Sequence, residues 1–156
     1  MTRFGLAAGL LVAAAAATAA PLPVVTVGDA ARVAVPAGAD AVLELPVSVK
    51  PGFHVQANPV LNDFLIPIVL AVSPKSGVTL QPPRYPAPKR LRLAGSDDDL
   101  VIYDGTFAIA LPIRAAAGAP PGDVSLTGTL RYQACDDSHC LAPVTVPVSL
   151  PLRIAR

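Results

Sequence analysis

Apolar residues fall on alternate positions through much of this chain, the period of a β-strand with one buried face. Ala41, Leu43, Leu45, Val47 and Val49 form one such series, and Phe53, Val55 and Ala57 resume it beyond a Pro51-Gly52 turn. Phe107, Ile109, Leu111 and Ile113 form another, alternating with Thr106, Ala108, Ala110 and Pro112. Leu126, Leu130 and Tyr132 keep step with one another, as do Val144, Val146, Val148, Leu150 and Ile154, whose partners Pro147 and Pro151 turn to the opposite face. Residues 65–72 are apolar throughout except for Pro67, which predicts a strand with its proline at an edge or bulge. Ala119-Pro120-Pro121-Gly122-Asp123 is a turn signal feeding the next strand. Neither a helical period of useful length nor an internal repeat is present. Short strands at this spacing predict an all-β chain folded as an antiparallel β-sandwich.

Between the last two series lies Tyr132-Gln133-Ala134-Cys135-Asp136-Asp137-Ser138-His139-Cys140-Leu141-Ala142-Pro143, which holds both cysteines of the chain. With a strand on each flank, the pair is expected at the mouth of a β-hairpin. Residues opposed at a non-hydrogen-bonded antiparallel position have Cα atoms about 4.5 Å apart, close enough for a disulfide. Such a pair can open and close without moving its strands.

The N-terminus bears on where the pair would reside. Arg3 precedes an Ala-rich apolar run, and Ala17-Thr18-Ala19 has the small-x-small form of a cleavage site, so residues 1–19 read as a signal peptide and residues 20–156 as one exported domain. The run is too short and too rich in alanine for a permanent anchor. An oxidising compartment would let the cysteines pair. The 18 prolines and 11 glycines punctuate the apolar runs in keeping with many short strands. Losing Arg3 from the 12 basic residues balances the 11 acidic ones, so the exported chain has no net charge to draw nucleic acid or anionic lipid. One segment departs from the strand pattern: residues 81–93 are rich in proline and base (Arg84, Lys89, Arg90, Arg92), with Asp97-Asp98-Asp99 close behind. It reads either as a solvated loop with opposite charges near each other or as a lid or docking loop.

Three chemistries fit the cysteines from the residues alone. A structural disulfide is the common use in an exported domain, although so short a loop removes little unfolded-state entropy. A redox-active pair exchanges disulfides through a mixed-disulfide intermediate; Asp136 and Asp137 would disfavour a nearby thiolate, and His139 would favour one only when protonated. A soft-metal site for Cu(I) could use Cys135, Cys140 and His139, joined by His54, but the spacing is wrong for a closed zinc site. His54 and Asn58 are expected to satisfy turn hydrogen bonds. With two histidines in the chain, no hydrolase constellation can be specified.

The chain resembles a known family in Gly52-Phe53-His54-Val55 to Asn58-Pro59, Leu65-Ile66-Pro67, Tyr85-Pro86, Val101-Ile102-Tyr103-Asp104-Gly105 and Arg131-Tyr132-Gln133-Ala134-Cys135 to Cys140-Leu141-Ala142-Pro143. It is similar to the N-terminal periplasmic domain of the thiol:disulfide interchange protein DsbD, from about Val42 to Leu152. The resemblance implies an immunoglobulin-like sandwich, no cofactor, and a monomer whose two cysteines relay electrons, a chemistry that also serves cytochrome c biogenesis. It implies that Cys140 forms the mixed disulfide and Cys135 resolves it. Tyr132, Gln133, Asp136, Asp137, His139 and Tyr103 are the candidate supporting residues, and alternation alone also accounts for Tyr132 and Gln133 as a strand residue and its polar neighbour. The implied partners are thioredoxin-fold periplasmic proteins and a membrane thiol transporter, the latter a separate protein if the chain ends at Arg156. The best-known members place five residues between the cysteines, where this chain has four. The family's aromatic cap loop should fall within residues 94–103, where no Phe occurs and Leu100, Ile102 and Tyr103 are the candidates for cover.

Overall fold

The computed structural model describes residues 23–92 and 99–156. The signal peptide expected over residues 1–19, and Asp97 and Asp98, lie outside the described residues. The described chain forms twelve strands: β1 (Val25–Val27), β2 (Val33–Pro36), β3 (Asp40–Val49), β4 (His54–Gln56), β5 (Val69–Val72), β6 (Val78–Leu80), β7 (Lys89–Arg92), β8 (Asp99–Tyr103), β9 (Thr106–Ala115), β10 (Gly122–Tyr132), β11 (Ala134–Cys135) and β12 (Val144–Ala155). They make three four-stranded sheets, ordered β1-β3-β9-β6, β2-β12-β10-β5 and β11-β4-β8-β7.

The first two sheets carry the long strands, and the alternation read from sequence is the alternation that buries them. Leu43, Leu45, Val47 and Val49 of β3 and Ile109, Leu111 and Ile113 of β9 share one core with Leu126, Leu130 and Tyr132 of β10 and Val148, Leu150, Leu152 and Ile154 of β12. Full burial of such side chains stabilises by about 1.5–3 kcal/mol each relative to exposure, so this core dominates the fold. The all-β sandwich expected from the pattern is therefore present, with one addition: β2 joins β12 in parallel, whereas every other strand pair among the described residues is antiparallel.

Two expectations are corrected. The apolar run at residues 65–72 is a strand only over Val69–Val72. Pro67 has no N–H to give a ladder, and Leu65 N–H instead donates to Asn62 O within a turn, so the first half of the run belongs to a loop. The basic segment is also not wholly a loop, because Lys89–Arg92 forms β7 against β8. Its charges pair across that hairpin, Arg90 and Arg92 with Asp99 and Lys89 with Asp104. All three pairs are solvent-exposed, so each adds little stability.

The third sheet is short and positions the site. The Pro51-Gly52 turn, with Gly52 at φ 83° and Phe53 N–H donating to Lys50 O, carries the chain from β3 into β4. Asp104-Gly105 returns it from β8 to β9, with Gly105 at φ 61°. Val55, Ala57, Val101 and Tyr103 tie this sheet to the main core.

Candidate functional site: a disulfide at the wall of an open cleft

The long hairpin of β10 and β12 ends at the pair Tyr132↔Val144. Pro143 cannot donate to a further rung, and the chain between these residues leaves the sheet. It makes a miniature hairpin of its own. Leu141 N–H donates to Ala134 O at 2.8 Å, Cys135 opposes Cys140, and Asp136 N–H donates to His139 O at 2.9 Å. The cysteines thus stand on opposed arms of a hairpin, as the flanking alternation predicts. That hairpin is grafted onto the third sheet, where β11 pairs with β4 through Ala134↔Val55 and Cys135↔His54.

Cys135 and Cys140 are joined by a disulfide with Cα atoms 4.0 Å apart. The two sulfurs live in different surroundings. Cys135 is only 2% exposed, whereas Cys140 lies on the exposed arm. Both line a cleft of about 540 Å³ with His54, Gln56, Leu61, Asn62, Leu65, Arg90, Asp99, Leu100 and the turn residues Asp136, Asp137, Ser138 and His139.

Of the supporting residues expected from the sequence, Asp136, Asp137 and His139 line this cleft. Asp136 builds the turn: its Oδ1 accepts the backbone N–H groups of Ser138 and His139, each at 2.7 Å. Those two bonds hold its carboxyl below the usual carboxylate range. Gln133 is not among the cleft residues; its Nε2 donates to Leu141 O at 2.9 Å and so ties the two arms together. Tyr132 is buried under the loop, which pushes its hydroxyl pKa up, and it borders a second, apolar hollow of about 450 Å³ with Leu141, Val144 and β1.

Tyr103 is not among the cleft residues. It pairs with Val55 on β8, is buried, and stacks at a tilt on Phe107 with ring centroids 4.9 Å apart. Ile102 is likewise buried outside the cleft, and of the three candidates for cover only Leu100 reaches it. The cap expected within residues 94–103 lies in part outside the described residues.

His54 departs from its expected role in a turn. It is buried on β4 directly opposite Cys135, and Asn58 bonds across the 57–68 loop, its Nδ2 donating to Ile68 O at 2.9 Å. Burial lowers the His54 pKa from its ordinary 6.5, a shift that the charges of Asp137, Asp104 and Asp136 oppose. Between its folded and unfolded pKa values the unfolded chain binds more protons at His54. Stability is therefore complete above about pH 6.5 and falls as the pH drops below that value. Urea unfolding from pH 8 to pH 5 should show this loss in the native protein and a smaller one in His54→Gln.

Gln56 and the 57–68 loop carry no signal in the alternation pattern. Gln56 is 1% exposed on β4, with Nε2 at 3.8 Å from Cys135 Sγ and Oε1 buried without a hydrogen-bond partner. A buried polar atom left unpaired costs about 1–3 kcal/mol. In the 57–68 loop, Leu61 is 57% exposed on the cleft and Phe64 is 93% exposed nearby. Gln56 falls on the polar positions of the Phe53, Val55, Ala57 series, which is why its burial is not visible in the sequence.

Among the described residues no group of three or more His, Cys, Asp or Glu is placed to hold a metal ion, and no helix is long and apolar enough to cross a membrane. Each sulfur of the Cu(I) reading is bonded to the other.

The pattern of the family described as thiol:disulfide interchange protein DsbD, N-terminal, matches residues 22–151. Among solved structures, the N-terminal periplasmic domain of ScsB from Proteus mirabilis is similar, with 15% identity and a TM-score of 0.48, covering 82% of this chain and 44% of that one. This chain therefore spans less than half the length of that solved chain. No curated protein matches it. The family's pattern runs through both main sheets and through the whole cysteine hairpin, and the chain belongs to the family of N-terminal domains of the thiol:disulfide interchange protein DsbD.

Proposed function

We propose that this domain relays electrons in the periplasm, passing them between a membrane-associated or thioredoxin-like donor and periplasmic oxidoreductases through the Cys135/Cys140 dithiol. The observation that carries the reading is the unequal exposure of the two sulfurs. A partner thiolate can approach Cys140 from solvent, whereas Cys135 is shielded and suited to leave and later to resolve. Export rests on the leader-like pattern of residues 1–19.

The exchange balances without a cofactor. A reduced partner's thiolate attacks Cys140 Sγ, a partner–Cys140 disulfide forms, and the Cys135–Cys140 bond breaks with its electron pair on Cys135. A second partner thiol then takes the place of Cys140, leaving both domain cysteines reduced and the partner oxidised. Docking has apolar ground beside Cys140: Leu61 along the cleft, with the exposed Phe64 on the same loop, and Leu141 and Val144 over the second hollow. A thioredoxin-fold protein, which presents one reactive sulfur on an apolar surface, is the chemistry this rim suits.

The test mixes the oxidised domain with a reduced thioredoxin-fold protein and counts thiols on each by mass spectrometry after alkylation. Transfer of one dithiol's worth of reducing equivalents, two electrons per domain, is expected. The reduced domain should also remain folded, losing less than about 3 kcal/mol in urea, because the loop closed by the bond is short. A domain that receives no electrons and loses much more stability on chemical reduction would instead carry a structural bridge.

A further inference from the structure

We infer that Gln56 is the hydrogen-bond donor that holds the thiolate of Cys135 when Cys140 is attacked, and so acts directly on the reacting sulfur. The inference rests on the exchange reading above and deepens it.

Bond cleavage places a full negative charge on an atom that water scarcely reaches, since Cys135 is 2% exposed. A thiolate in apolar surroundings is disfavoured, and a poor leaving group slows exchange. The charged and titratable groups around it do little to help. Asp136 and Asp137 on its own turn repel a negative sulfur, and His139 on that turn is exposed to water. Across the cleft, Arg90 of β7 is paired with Asp99 of β8. His54 of β4 sits opposite Cys135, but burial keeps its imidazole from carrying charge at neutral pH.

Gln56 remains. It lies two residues along β4 from His54, so both side chains share the face that Cys135 presents, and its Nε2 stands 3.8 Å from Cys135 Sγ. An amide N–H bonded to neutral divalent sulfur is a weak contact, and the same N–H bonded to a thiolate is a charge-assisted one. The interaction therefore strengthens as the Cys135–Cys140 bond breaks. It also gives a reason for an amide at this position, where Oε1 finds no partner and a leucine would fill similar space.

The proton-coupled part of the cycle is simple. No proton moves in the first attack. The Cys135 thiolate either takes a proton from solvent after the partner leaves, or attacks Cys140 again and expels the partner's thiolate unchanged.

Gln56→Leu tests the role, with Gln56→Met as the variant to use should leucine prevent folding. In a Cys140→Ala background the lone Cys135 thiol is titrated by its thiolate absorbance, and in the intact disulfide form the rate of reduction by dithiothreitol is measured. Loss of the donor is expected to raise the Cys135 pKa by about one unit and to slow reduction about tenfold, the scale of one hydrogen bond to a charged group. Titration of a lone Cys140 in a Cys135→Ala background should be unaffected. The melting temperature of the oxidised form should hold or rise, since an unpaired buried oxygen has been removed. An unchanged Cys135 pKa, or equal shifts at both cysteines, would overturn the assignment. Because dithiothreitol replaces the protein partner, the result is independent of whether a thioredoxin-fold protein exchanges electrons with this domain.

Discussion

Cys135→Ser is expected to accumulate a covalent complex with a thioredoxin-fold partner, and Cys140→Ser to accumulate none. The expectation follows from exposure. With Cys135 replaced, Cys140 still lies on the open arm of the hairpin, where it can attack a partner's disulfide, but no second sulfur remains 4.0 Å across the hairpin by Cα separation to resolve the product. With Cys140 replaced, the remaining thiol is the shielded one, 2% exposed, which a partner sulfur reaches far less readily. The measurement is a non-reducing gel of each purified variant with a thioredoxin-fold protein whose resolving cysteine is replaced by serine and whose remaining cysteine carries a thionitrobenzoate leaving group, so that attack expels thionitrobenzoate and leaves no sulfur to reverse the bond, followed by mass spectrometry of the upper band. The contrast should be nearly all-or-none. Trapping by Cys140→Ser alone would reverse the roles, and trapping by neither would leave the bond a structural one.

Much of this arrangement was legible in the chain because period-two alternation is dictated by burial of one sheet face. Leu43, Leu45, Val47 and Val49 alternate because β3 has one face in the core, and the even residues of β10 and β12 do so for the same reason. The cysteine hairpin was legible as well, since strands on both flanks require a reversal between them. Its attachment was not. That β11 leaves the β10–β12 ladder to pair with β4 depends on a partner some eighty residues earlier, and alternation carries no information about which strand lies alongside. The same limit hid Gln56 and His54. All three residues of β4 are buried, so the alternation of Phe53, Val55 and Ala57 marks only one of two covered faces, and the polar side chains of the other face are explained only by what they meet. Tyr103 shows the converse: a residue singled out by motif is buried off the cleft, where its ring meets Phe107.

The cleft also depends on a close approach that a single methyl group should disrupt. Gly128 lies in the middle of β10, paired with Val148 on one side and Val72 on the other. A Cβ there would stand 2.1 Å from Ala71 O and 2.8 Å from Val72 Cα, both backbone atoms of β5 that no side-chain rotation can clear. Gly128→Ala must therefore push β5 away from β10, and the two strands share only four residue pairs, from Gly128↔Val72 to Arg131↔Val69. Overpacking a core typically costs about 1–3 kcal/mol, and a clash with backbone belongs at or above the top of that range. Urea unfolding should accordingly show a loss of about 3 kcal/mol. The displacement has a second consequence, because β5 is continuous with the 57–68 loop that supplies Leu61, Asn62 and Leu65 to the cleft. Moving the strand moves that wall, while the cysteine hairpin, anchored on β4 and on the end of β10, stays in place. Reduction by dithiothreitol, which needs only access to Cys140, should then change little, whereas reduction by a docked thioredoxin-fold protein should slow. A Gly128→Ala protein with native stability would show that β5 yields without cost, and equal slowing with both reductants would show that the hairpin itself had moved.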